Sequence, residues 1–174
     1  MGRKERYVLA MVLLLAIGLS AAWAASTDVA SISASISGYP ALGVSVAANP
    51  PMTKVAGKWY YLRSTKVFDI TTSQSFNYNT NCTVLVTLVN AADLANNFSS
   101  LDIYVELKTT GGTVLDRGVI SLEQGVFSAL LNATSITKSK FPLSVWVTAS
   151  GYARSGNPRT VTLYLACQVM TPAG

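Results

Sequence analysis

Histidine is missing from all 174 residues, and that absence removes a large share of enzyme chemistry. Ser-His-Asp and Cys-His nucleophilic arrangements need an imidazole base. Two cysteines without histidine also cannot assemble the usual zinc ligand sets. Charge is scarce, at 12% of residues, and no cluster of lysines and arginines interleaved with aromatics occurs. The electrostatic footprint of a nucleic-acid binder is therefore absent. Glycine-rich phosphate loops and calcium-loop spacings are missing as well. The carboxylates available for a glycosidase-type pair are Asp28, Asp69, Asp93, Asp102, Glu106, Asp116 and Glu123. Asp102 and Glu106 share one parity of an alternating segment, which suits a solvated strand face better than catalysis. The expectation is a protein that is not an enzyme, with no cofactor, no metal and no small-molecule substrate.

A second long apolar run is also lacking. The first is near the start: Arg3, Lys4 and Arg6 precede an uninterrupted apolar stretch, Tyr7–Leu19, and Ala22-Trp23-Ala24 has the small-x-small form of a cleavage site. Residues 1–24 are read as a secretory signal peptide cut after Ala24. Two alternatives stay open at this level: a retained anchor, since Tyr7–Ala25 is 19 residues and can just span a bilayer, and a type IV pilin leader cut before the apolar run. Removing the leader takes three cations and one anion with it, leaving ten against seven. The mature chain is expected outside the cell, with no membrane span after cleavage.

What is present is strand periodicity. Val84, Val86 and Leu88 alternate with polar neighbours, as do Leu101, Ile103, Val105 and Leu107, and Leu143, Val145 and Val147. Val161, Leu163, Leu165 and Val169 continue the pattern as one segment. Lys58–Thr65 is aromatic-rich and β-prone, and Thr109-Thr110-Gly111-Gly112 reads as a hairpin turn into Val114–Ser121. The single weak helical candidate is Ala91–Asn96. Six or seven short strands with Gly, Asn, Ser and Thr turns imply an all-β fold: one antiparallel β-sandwich, jelly-roll or immunoglobulin-like, over residues 54–174.

Cys82 and Cys167 both fall on the apolar parity of their strands. In an exported chain such a pair favours a disulfide. Closing the 85 residues between them would stabilise by about 4–5 kcal/mol on the loop-entropy model. The alternative is two buried free thiols.

The unusual segment is residues 25–53. Even positions carry Ala30, Ile32, Ala34, Ile36, Leu42, Val44, Val46 and Ala48, while Ser, Gly and Ala fill the odd ones, and no charge occurs from Val29 to Thr53. Gly38-Tyr39-Pro40 interrupts without changing the phase, and Asn49-Pro50-Pro51 follows as a stiff joint. Such a ribbon needs a partner for its backbone groups and its apolar face. It can pair within its own sandwich, or it can add to the sheet of another molecule. Head-to-tail addition between copies does not close, so it builds a filament.

The leader, the even-phase run Ala30–Ala48 and the Asn49-Pro50-Pro51 joint together resemble the donor-strand pilins. The layout is similar to archaeal bundling-pilus subunits and bacterial biofilm-fibre proteins of the TasA kind. That resemblance implies a self-associating extracellular filament acting in adhesion, bundling or biofilm matrix. The reading from another class is a monomeric surface binding module, with carbohydrate as its candidate ligand.

Three candidate N-glycosylation sequons occur, at Asn81, Asn97 and Asn132, close to the number that composition alone gives. Asn97 and Asn132 are favoured over Asn81, which adjoins the expected disulfide. Trp59, Tyr60, Tyr61 and Trp146 form a candidate sugar platform, with cross-strand packing as the plainer reading.

Overall fold

The computed structural model describes residues 32–36, 42–54, 57–72, 75–76, 78–156 and 159–171. The leader and Ala30 lie outside them. The chain is an all-β sandwich of two packed sheets. In chain order the elements are β1 (Ile32–Ile36), β2 (Leu42–Val46), β3 (Pro51–Lys54), β4 (Trp59–Thr72), β5 (Thr80–Leu88), α1 (Ala91–Asn97), β6 (Phe98–Lys108), β7 (Val114–Ser121), β8 (Ser128–Ile136), β9 (Leu143–Ala153), β10 (Arg159–Thr162) and β11 (Leu165–Met170). One sheet has the order β1-β11-β5-β8 and the other β2-β4-β9-β6-β7, while β3 and β10 form a two-stranded ribbon. Every described pairing is antiparallel except β1 with β11.

Alternation does what the pattern demands. Cys82, Val84, Val86 and Leu88 of β5 are buried, as are Leu101, Ile103, Val105 and Leu107 of β6 and Leu143, Val145, Val147 and Ala149 of β9. These faces meet as one continuous core with Phe68, Ile70, Phe98 and Leu131. Burial of this apolar area drives the packing of sheet on sheet. The Thr109–Gly112 turn joins β6 to β7, closed by the Gly112 amide donating to the Thr109 carbonyl (2.9 Å), with Gly112 at φ 80°.

Three segments depart from their sequence patterns. Val161–Val169 is two strands, β10 and β11, because the Leu163 amide donates to the Pro50 carbonyl (3.0 Å) at the crossing between them. The residues 26–48 expected as one ribbon contain β1 and β2, which belong to opposite sheets. The weak helical candidate is a seven-residue helix, α1, held by buried Leu94 and pinned from its N-terminal side by Asn90. The Asn90 side chain donates to the Thr162 carbonyl (2.8 Å) and accepts from the Tyr164 amide (3.1 Å).

Candidate functional site

The sandwich has two long sides, and they are built differently. On one side the edge strands β7 and β8 come together across the sheets. Gly118 permits that approach, since a Cβ there would sit 2.8 Å from the Ala129 Cβ. The Asp116 carboxylate accepts from the Asn132 amide of β8 (2.7 Å) while its other oxygen accepts from the Arg117 amide (2.8 Å). Neighbouring strands in the sequence therefore close this side.

Among the described residues, the opposite side is edged by the N-terminal segment, which supplies both β1 and β2. β1 pairs parallel with β11 over Ile32–Ile36 and Ala166–Met170. β2 pairs antiparallel with β4, Leu42 opposite Thr72 and Val46 opposite Phe68. β1 and β2 also adjoin each other across the sandwich. One uncharged stretch thus supplies the outer strand to both sheets along one seam. Without it the edges of β11 and β4 would expose rows of unpaired backbone groups on the same side.

The even-phase residues of β2 share the parity of the buried Phe68 and Ile70 of β4 but are unequally covered. Leu42 is buried, Val44 is half-buried, and Val46 is exposed. In β1 the register pairs Ile32, Ala34 and Ile36 with Ala166, Gln168 and Met170, whereas the core residues Cys167 and Val169 pair with Ser33 and Ser35. The apolar parity of β1 is thus matched to the non-buried parity of β11. The expected joint is part of the fold: Pro50 is buried and Pro51 begins β3.

The expected Cys82–Cys167 disulfide is not formed. Both residues are buried free thiols. They lie on neighbouring antiparallel strands, but Cys167 is opposite Val86, four residues from Cys82. Four residues of strand span about 13 Å, well beyond the reach of a disulfide. Burial pushes the Cys82 thiol up to about 11 and the Cys167 thiol up to about 12, the latter with a smaller contribution from Cys82 itself.

The sequons sort by packing. Asn97, favoured on sequence, is only 2% exposed, and its side-chain amide donates to the Asp93 carbonyl (2.7 Å). That environment has no room for a glycan. Asn81 and Asn132 are exposed on neighbouring strands. The Asn81 side-chain oxygen accepts from the Ser135 amide (2.9 Å), and that of Asn132 accepts from the Thr83 hydroxyl (3.1 Å).

No protein-family model and no curated protein matches the chain. Among the described residues no three of His, Cys, Asp or Glu gather into a metal-binding group, and no helix is long and apolar enough to cross a membrane.

The outer face of the five-stranded sheet divides the four suggested aromatics. Tyr60 turns inward against Phe98, ring centroids 5.8 Å apart. Trp146 is half-buried, its indole N–H donating to the Ser144 hydroxyl (2.9 Å) and its ring covered by the Lys108 ammonium at 5.0 Å. Lys108 and Arg117 both bond Glu106, at 2.8 and 2.9 Å. The hydrogen bond from Lys108, reinforced by Arg117, holds the Glu106 carboxyl below its ordinary range. Trp59 and Tyr61, by contrast, are 63% and 71% exposed. Cross-strand register adds Tyr152 and Tyr104 to that face, two residues that linear patterning did not single out.

Proposed function

We propose that the chain is a structural subunit of an extracellular filament. It is exported by its N-terminal leader and polymerises when residues 26–48 of one copy insert into the seam of the next. One observation carries the reading: a single N-terminal segment completes the edges of both sheets, so its departure opens one continuous seam and leaves the other side intact. A second copy's segment satisfies the same backbone groups, and the contact, being heterologous, propagates. The register of β1 also leaves room for a better fit. A one-residue slip on a neighbour would bring Ile32, Ala34 and Ile36 into phase with the buried parity of β11. Low charge along the segment lets copies approach without repulsion. Adhesion, bundling or matrix formation is the role such a filament serves.

The rival is a monomeric surface module that keeps β1 and β2 in its own sheets. A cross-strand pair separates the two, because Ser45 is the register partner of Asp69. In a Cys82→Ala, Cys167→Ala background, Ser45→Cys with Asp69→Cys is oxidised at high protein concentration. A ladder of covalent multimers on a denaturing gel, with fibres in electron micrographs, is the expected result. A product that stays at single-chain size would refute strand exchange.

A further inference from the structure

The outer face of the five-stranded sheet carries exposed aromatics that neither the core nor the seam uses. Trp59 and Tyr61 alternate on β4, about 7 Å apart along the strand. Register sets Trp59 beside Tyr152 of β9, and Tyr61 beside Ser150 of β9, which in turn lies beside Asp102 of β6. Tyr104, two residues along β6, lies about 10 Å across the sheet from the β4 pair. It opens into a groove of about 620 Å3 that Ser64 and Thr148 also line.

One ring of the pair, Trp59, is braced by a neighbour. The Tyr152 ring meets Trp59 edge to face at 5.6 Å, and the Tyr152 hydroxyl donates to the Gly57 carbonyl (2.9 Å). Rings fixed before binding lose little entropy on contact with a ligand. Hydroxyls and a carboxylate interleave with the rings, unlike the continuous apolar centre of a protein interface. Among the cations near this face, Lys66 pairs with Asp69, and both Lys108 and Arg117 pair with Glu106, while exposed Arg63, two residues beyond Tyr61, is in no ion pair among the described residues. Asp102 has no ion-pair partner among the described residues. Between Tyr61 and Tyr104, Asp102 thus offers an acceptor for hydroxyl groups.

We propose that this face binds a neutral chain of pyranose sugars, with Trp59 and Tyr61 stacking on the rings and Asp102 accepting hydroxyl hydrogen bonds. The proposal stands independently of strand exchange, since the residues lie on a sheet face and not on the seam.

The test uses the full chain with cellohexaose, chitohexaose, laminarihexaose and mannohexaose, and with polygalacturonate as the acidic counterpart. Binding is read by tryptophan fluorescence and calorimetry, with assembly state followed in parallel by sedimentation. At least one neutral hexaose binds, and binds more tightly than polygalacturonate. Trp59→Ala and Tyr61→Ala each weaken binding by about tenfold with an unchanged melting temperature, and Asp102→Asn weakens it while retaining shape. Tyr152→Phe, which loses only the anchoring hydroxyl, gives a smaller loss. Failure of all four hexaoses to bind, binding indifferent to the Trp59 and Tyr61 variants, or variants that change only self-association would each overturn the proposal.

Discussion

At the scale of single residues, Cys82 and Cys167 carry the clearest lesson. Alternation is sufficient to place both in the core, and both are there. It is silent on register, and register keeps them apart. Native protein is expected to show no thiol reactive towards a disulfide reagent, and two after unfolding in guanidinium. A crosslinked protein would show none in either state. Both thiols rise from an ordinary value near 9.0 because burial disfavours the thiolate. Their neutral form therefore stabilises the fold below about pH 9, and that contribution is lost as pH rises towards 11–12. Asn97 makes the same point differently: its sequon is intact, but helix packing seals the side chain.

At the scale of elements, legibility follows the regularity of alternation. β5, β6 and β9 bury every second residue and are plain in the sequence. β8 is not, because Leu130, 56% exposed, sits between the buried Ala129 and Leu131 and hides the two-residue period. β4 runs on to Thr72 past bulges that place Val67 and Phe68 both in the core, so its second half escapes the pattern. Inside β9, Gly151 reflects close strand approach: a Cβ there would run into the Ser100 carbonyl and the Leu101 backbone of β6. Backbone cannot retreat within a central sheet. Gly151→Ala is expected to cost about 1–3 kcal/mol, read as a drop of several degrees in thermal melting. The aromatic face is legible only in part. Trp59 and Tyr61 are neighbours in sequence, whereas Tyr104 and Tyr152 join them only through the pairing of β6 and β9 with β4.

At the scale of the whole molecule, the asymmetry between the two sides governs behaviour. The β7–β8 side is closed by local chain, and the other depends on a segment far from β11 in sequence. A chain lacking residues 25–48 loses the burial of Leu42, worth about 1.5–3 kcal/mol, and two rows of edge hydrogen bonds. It is expected to melt below the full-length protein and to remain monomeric, and a synthetic peptide of residues 25–48 should raise its melting temperature. If the peptide leaves the truncated chain unchanged, the seam is not a site at which a strand can be supplied from outside.

Composition and two-residue periodicity were enough to establish an all-β sandwich, the inward parity of its regular strands and the peculiarity of the uncharged N-terminal segment. These are local properties, set by how side chains alternate across a pleated strand. Pairing decided the rest: which strands adjoin, how far Cys82 lies from Cys167, that β1 and β2 serve opposite sheets, and that Tyr104 and Tyr152 share a face with Trp59 and Tyr61. Those facts come from contacts between residues distant in the chain, where a shift of one residue reverses every side chain and no local pattern records the choice.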